Sequence, residues 1–226
     1  MKIGFFGDSF CSTISNTHSI ENNYTTYIKK LSDHFKAEIV SLGHGGSSIW
    51  DTVLIQFKPF EVDPPDVCIF VWTGPGRLFH RTQRNLNYSS AFKSSDPVSK
   101  AAQQYYTILF DEEKTELEHS AALSYFDEFI FSKLKNTKIL HLWSFGKPRY
   151  SLGNDNGYPY NSIEYHHNWK HGIELRPPLM KFSYNENDNR DIINVLKQDA
   201  RANHLGTEEI NQQLFEMIKS AILSCP

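Results

Sequence analysis

The chain has 226 residues, 39% of them hydrophobic, 14% aromatic and 22% charged, which excludes disordered and fibrous classes and suits one α/β domain spanning 1–226. A net charge of −3 leaves no basic field for neutralising phosphates and argues against nucleic acid as a partner; no apolar run reaches the ~18 residues of a membrane span, so no membrane partner is expected. Cys11, Cys68 and Cys225 are far apart, odd in number and in no metal-ligand spacing, so reduced thiols without a metal or other cofactor are expected.

The opening Lys2-Ile3-Gly4-Phe5-Phe6 is an apolar run that stops at Gly7-Asp8-Ser9, the profile of a buried strand ending in a turn. It meets Asp8 before an export segment can form, so the chain is expected to stay cytoplasmic. Tyr24, Tyr27, Ile28, Leu31 and Phe35 recur at three- and four-residue intervals and predict a helix over 22–35. Residues 37–42 predict a second strand, and Gly43-His44-Gly45-Gly46-Ser47-Ser48 a loop whose serines cap a helix through Phe57. Residues 66–72 read as a fully apolar third strand, closed by Thr73-Gly74-Pro75-Gly76. Residues 80–100 show no useful periodicity. Helices are predicted over 101–110 and 114–134, the second with Leu117, Ala121, Tyr125, Phe129 and Ile130 on one side. Residues 138–143 predict a fourth strand. The stretch 144–190, rich in Gly, Pro, Asn, Tyr and His, is too long for an idle connection and reads as a substrate-side insertion with one strand near 179–182. A short helix over 191–196 and a long amphipathic one over 206–223 close the chain, the latter with Ile210, Leu214, Met217, Ile218 and Ile222 inward. Strands alternating with helices imply a three-layer α/β/α sandwich on a mainly parallel sheet, with its site at the carboxyl ends of the strands.

Three turns then converge at one sheet edge: Ser9, the glycine loop 43–46 and the turn 73–76 each follow a predicted strand. A serine hydroxyl becomes a nucleophile only when a base within hydrogen-bond reach takes its proton. His204, in Asn203-His204-Leu205-Gly206 just before the final helix, is the candidate base, with Asp199 or Asn203 to orient its ring. The alternatives are weaker. Gly43-x-Gly45-Gly46 lacks the spacing of a dinucleotide fingerprint and the lysine of a phosphate loop. Ser9 is not in the mid-chain Gly-x-Ser-x-Gly of an α/β-hydrolase elbow, and nothing near Cys11 depresses its pKa, so Cys11 reads as a buried structural thiol. His166, His167 and His171 with Glu164 and Glu174 form no compact ligand set. Tyr150, Tyr158, Tyr160, Tyr165 and Trp169 suit stacking on sugar rings, and Arg77 and Arg81 suit an anionic group.

In these residues the chain resembles the SGNH or GDSL hydrolases. Gly7-Asp8-Ser9-Phe10 looks like the family's nucleophile motif, with Ser9 as nucleophile. Ser41-Leu42-Gly43-His44-Gly45-Gly46 resembles its second block, with Gly46 in the position of the oxyanion-hole amide. Asn203-His204-Leu205 before the terminal helix looks like its last block. The resemblance implies the flavodoxin-like SGNH hydrolase fold and acyl transfer from an ester, with Ser9 and His204 as catalytic residues; Asp199 is expected as the third from its nearness to His204 in this sequence. The resemblance places Gly46 in the oxyanion hole with Ser9; from this chain's own residues Thr73 is expected to join them, and Asp8 and Arg77 are expected against substrate. The expected partner is a small-molecule or glycan ester, an O-acetyl or O-acyl carbohydrate being preferred; oligomeric state is open.

The chain departs from the family in two places. The third block normally supplies an asparagine, but strand three runs into Thr73-Gly74-Pro75-Gly76-Arg77, which leaves Thr73, a backbone amide or Arg77 as second donor. The family's acid lies three residues before the histidine, where this chain has Arg201; Asp199 is five before, and Asn203 with a backbone carbonyl is the other way to hold the ring. These departures also suit a weakly active or inactive SGNH-fold protein that binds glycans or a protein partner.

Overall fold

The structure is a computed structural model that describes residues 1–12, 26–84, 86–144, 167–179, 205 and 208–225. Five strands form one sheet: β1 (Lys2–Gly7), β2 (Glu38–Ser41), β3 (Val67–Trp72), β4 (Lys138–Trp143) and β5 (Ile173–Glu174), in spatial order β2-β1-β3-β4-β5. Every pairing is parallel. Parallel strands are covered on both faces, which is why β3 reads Val-Cys-Ile-Phe-Val-Trp with no polar residue and is buried throughout.

Because side chains alternate along a strand, β3 feeds two cores. Val67, Ile69 and Val71 join Ile3, Phe5, Leu140 and Leu142 against α1 (Tyr27–Phe35) and α6 (Glu208–Ser224). Cys68, Phe70 and Trp72 join Phe6, Ile139 and Trp143 on the opposite face. That face is covered by α2 (Ile49–Asp51), which continues as a π-helical stretch Thr52–Phe57, and by α5 (Glu112–Phe129). The second core is aromatic. Phe70 stacks on Trp72 at 5.2 Å and lies 5.3 Å from Phe6, and each such buried ring contributes about 1.5–3 kcal/mol by leaving water. The α/β/α layering expected from the alternating pattern is present, and the order 2-1-3-4-5 is that of flavodoxin-like sheets.

Local chemistry sets the helix ends. Thr26 caps α1 by accepting from the Lys29 amide, and Lys36 closes it at φ 49°. Tyr88–Ala91 forms the short α3 inside the tract read as aperiodic. The next helix, α4 (Pro97–Gln104), starts four residues before the predicted 101 because Asp96 Oδ1 accepts from the Val98 and Ser99 amides at 3.0 Å, with Pro97 in the first turn.

The side of α5 marked by its apolar residues is not the side that packs on the sheet. Leu117, Ala121, Tyr125 and Phe129 face solvent, and His119, Ala122, Leu123, Phe126 and Asp127 are buried instead. Phe126 packs edge-on to Trp50 at 5.0 Å, His119 Nε2 lies 3.0 Å from the Thr73 carbonyl, and Asp127 accepts from the Lys170 and His171 amides at 2.7 and 3.1 Å. Two polar residues with specific partners pull the helix away from the face its apolar residues mark.

Within the predicted insertion, β5 pairs with Leu140 and His141, and Gly172 precedes it at φ +99°. A Cβ on Gly172 would lie 2.8 Å from the Ile139 carbonyl, so only glycine lets the segment approach β4. The strand expected near 179–182 lies, beyond Leu179, outside the described residues, as do the predicted helix 191–196 and residues 22–25 of the first. No described helix is long and apolar enough to cross a membrane.

Candidate active site

In a sheet of this order the chain leaves β1 towards one edge and β3 towards the other, and the carboxyl ends of these two strands are where sheets of this kind bind their ligands. The two turns there are Gly7-Asp8-Ser9 and Thr73-Gly74-Pro75-Gly76. Ser9 is half-buried and opens a single 3-10 turn, Ser9–Cys11. Asp8 caps that turn: its Oδ1 accepts from the Phe10 amide at 3.1 Å. Phe10 and Cys11 are buried beneath, so Ser9 is held at the surface of a rigid corner.

The glycine loop lies along this corner. The Gly43 amide donates to the Cys11 carbonyl and the His44 amide to the Gly7 carbonyl, both at 2.9 Å. Gly46 turns the loop at φ 78°, and Gly45 faces Ser9, a Cβ there standing 3.9 Å from Ser9 Cβ. Gly43 is the point of closest approach. A Cβ at 43 would meet Cys11 Sγ at 2.4 Å, the Asp8 carbonyl at 2.7 Å and the Gly7 carbonyl at 2.9 Å. Two of these are backbone atoms and cannot swing aside, so Gly43→Ala is expected to cost about 2–3 kcal/mol. Chemical denaturation measures it, and a variant as stable as the parent would contradict the packing described.

Beneath the two loops is a buried polar network that joins them. Gln56, on the π-helical stretch, pairs with Gly7 through both halves of its amide: the Gly7 amide donates to Oε1 at 2.8 Å, and Nε2 donates to the Gly7 carbonyl at 2.9 Å. Gln56 Nε2 also lies 2.8 Å from Ser47 Oγ and from Asp51 Oδ2. Ser47 Oγ reaches the His44 carbonyl at 2.6 Å and Asp51 Oδ2 at 2.8 Å. Asp51 is 3% exposed, and a buried carboxylate needs a cation or donors. It has both, since Arg84 Nε lies 3.2 Å from Oδ1. His44 Nδ1 is 3.7 Å from Asp51 Oδ2, and burial with the nearby Arg84 charge holds its imidazole below the usual histidine range.

The residues expected against substrate are occupied with each other. Arg77 donates to the Ser47 carbonyl at 3.1 Å and stands 3.7 Å from Asp8 Oδ2, the Asp8 carboxylate being fully buried. Thr73 is 2% exposed and its carbonyl meets His119. Gln56, Asp51 and Arg84 carry no motif that marks them as site residues. A signal existed in Ser48-x-x-Asp51, the spacing of a helix capping box: Ser48 Oγ accepts from the Asp51 amide at 3.2 Å, while the Asp51 carboxylate turns into the network.

His204, Asp199, Asn203 and Arg201 lie outside the described residues. Leu205, next to His204, is described and buried, in the same apolar cluster as Phe10 and Cys11. Asn211 of α6 holds it there. Asn211 Nδ2 donates to the Leu205 carbonyl at 2.9 Å, its Oδ1 accepts from the Tyr27 amide at 2.8 Å, and Tyr27 Oη donates to the Phe10 carbonyl at 3.0 Å. This relay ties the start of the last helix to the residue after Ser9. Asn211→Ala leaves the Leu205 carbonyl and Tyr27 amide without their partner, and a loss of about 2–3 kcal/mol is expected in a urea melt; a loss within experimental scatter would show that the relay carries no load.

Burial, and next the Asp8 charge, push the Cys11 thiol well up, which keeps it protonated and unreactive. Among the described residues no cluster of His, Cys, Asp or Glu is arranged to hold a metal ion. Trp169 of the insertion stacks on His141 at 3.7 Å and lies 5.5 Å from Trp72, so this ring belongs to the second core.

No protein-family model matches the chain, and no curated protein matches its sequence. Three solved structures are similar to parts of it. A GDSL-like lipase from Parabacteroides merdae is 19% identical with a TM-score of 0.32, over 64% of this chain and 60% of that one. An acetyl xylan esterase is 18% identical with a TM-score of 0.26, over 63% and 57%. An extracellular lipase from Streptomyces rimosus is 17% identical with a TM-score of 0.29, over 71% and 66%. This chain thus spans less than two thirds of the length of each neighbour.

Proposed function

We propose that the chain is a serine ester hydrolase of the SGNH type, with an O-acetyl or O-acyl carbohydrate as preferred substrate. The observation that carries the reading is the position of Ser9: half-buried, at the β1/β3 switch point, with the glycine loop closed against it. In the proposed reaction His204 accepts the Ser9 proton and Ser9 Oγ attacks the ester carbonyl. The amides of Ser9 and Gly46, with Thr73, hold the oxyanion, and the alcohol leaves with the proton from His204. Water then attacks the acyl-enzyme through the same histidine, releasing the acid. Asp199 orients the imidazole. The anchoring of Leu205 near Phe10 supports bringing the two chain ends together.

Arg77 and the buried Asp8 act in this reading as an ion pair that fixes the glycine loop over the nucleophile turn. Preference for a sugar ester rests on the aromatic residues of 144–190.

The test is hydrolysis of p-nitrophenyl acetate and of an acetylated xylo-oligosaccharide by the full chain. Turnover of about 1 s⁻¹ or faster on at least one is the expected result. Release no faster than the buffer blank on both would overturn the proposal.

A further inference from the structure

Gln56 ties together the two segments that flank the proposed nucleophile. It is 4% exposed and sits on the π-helical stretch Thr52–Phe57, where the Lys58 amide donates to the Val53 carbonyl five residues back. Residues five apart lie about 140° apart around an α-helix, so Asp51 and Gln56 would point to different sides of one. The wider π turn brings them together, and Gln56 Nε2 reaches Asp51 Oδ2 at 2.8 Å. From there one amide spans both loops. It meets Gly7, two residues before Ser9, through N–H and carbonyl alike, and Ser47, the residue after Gly46, through the hydroxyl.

The acceptors that Nε2 faces are already served. The Gly7 carbonyl accepts from the His44 amide at 2.9 Å, and Asp51 Oδ2 from the Ser47 hydroxyl at 2.8 Å. What Gln56 adds is a fixed separation between the two segments. Its Nε2 can only donate, so the Asp51 Oδ2 opposite must accept, as Oδ1 must from Arg84 Nε at 3.2 Å. Asp51 is 3% exposed and Ser47 fully buried, which shields these bonds from solvent, and a buried polar network whose members are all paired is rigid.

We propose that Gln56 is a positioning residue of the ester-hydrolase reaction. Paired with Asp51, it holds the Gly7-Asp8-Ser9 turn and the Gly45-Gly46-Ser47 corner at one separation, so that the Ser9 and Gly46 amides meet the same developing oxyanion. The proposal rests on the serine-hydrolase reading given above. Misplacing a reacting group by about 1 Å costs about 10²-fold in turnover although the substrate is still bound. Loss of the Gln56 tie therefore falls on kcat and spares KM.

Steady-state kinetics across neutral and alkaline pH, on whichever of the two esters named above the parent hydrolyses, tests it, with a thermal melt of each variant. Gln56→Glu keeps the acceptor for the Gly7 amide but sets a second carboxyl group against Asp51. It should lower kcat about 10²-fold with KM within about threefold of the parent, and the loss should deepen as pH rises and the two groups can no longer share a proton. His44, 3.7 Å from Asp51 Oδ2, and Arg84 face the pair in both proteins, so the slope added to the parent profile belongs to the new carboxyl group. Gln56→Glu with Asp51→Asn exchanges donor and acceptor across the same contact: the new amide faces the new carboxylate and still offers an oxygen to Arg84. The exchanged pair should recover at least about tenfold in kcat over Gln56→Glu and lose the added pH dependence, which a merely weakened fold would not do. An active parent beside a Gln56→Glu variant of unchanged kcat, a loss confined to KM, or an exchanged pair no better than Gln56→Glu would each overturn this proposal alone. A parent inert towards both esters would overturn the ester-hydrolase reading and this proposal with it.

Discussion

Replacing Ser9 with alanine is expected to lower ester turnover by at least about 10³-fold, the scale seen when a nucleophile is deleted and the oxyanion donors remain. The substitution keeps Cβ, which is the atom that faces Gly45, and leaves the Asp8 cap of the 3-10 turn in place. The loss is therefore chemical rather than structural: without Oγ no acyl-enzyme forms, and what remains is binding and polarisation of the carbonyl. Steady-state kinetics on p-nitrophenyl acetate reads kcat, and a thermal melt within a degree or so of the parent shows that the fold is retained. Turnover within tenfold of the parent would remove Ser9 from the role proposed for it.

Acid is expected to destabilise the fold steeply, through two buried histidines. His141 is fully buried between aromatic rings. Trp72 Nε1–H donates to its Nδ1 at 3.1 Å, and because an indole can only donate, the ring is neutral with its proton on Nε2, 2.9 Å from the His171 carbonyl. Protonating Nδ1 would set two donors against each other in a dry site. Burial pushes His141 down to about 3, against the raising effect of the His171 carbonyl. Burial likewise pushes His119 down to about 4, opposed by the Thr73 carbonyl.

In both cases the folded value lies below the ordinary 6.5, so the unfolded chain binds protons that the folded chain refuses. The stability is fully present above 6.5 and is lost as pH falls from 6.5 towards 4 and 3. At pH ~5 each histidine costs about 2 kcal/mol relative to neutral pH, about 4 kcal/mol for the pair. Urea unfolding at several pH values measures the slope. His141→Gln keeps an acceptor for Trp72 and a donor for the His171 carbonyl but does not titrate, so it should remove about half of the dependence. A flat profile, or an unchanged slope in His141→Gln, would contradict this assignment.

The elements read best from sequence are those whose burial is complete. β1, β3 and β4 are near-continuous apolar runs because helices cover both sheet faces, and such runs leave little choice of period. The turns after β1 and β3 followed from them, and with those turns the position of Ser9 at the carboxyl edge of the sheet. What failed to show was set by individual polar partners. α5 turns its apolar row outward because Asp127 and His119 have hydrogen-bond partners inward, and period alone cannot see them. β5 is two residues long and depends on Gly172 rather than on its own side chains. Gln56 and Asp51 look like ordinary helix polar residues until the fold brings Gly7 and Ser47 to them. The roles of His204 and Asp199 stand as sequence expectations, since both lie outside the described residues.

A fluorophosphonate forms a covalent adduct only with a hydroxyl that a neighbouring base has activated, so it interrogates the nucleophile without assuming any substrate. Incubating the full chain with such a reagent and mapping the product by mass spectrometry is predicted to give one adduct per chain, on Ser9, and none on Ser9→Ala. An unlabelled chain, or an adduct on any other residue, would contradict the account.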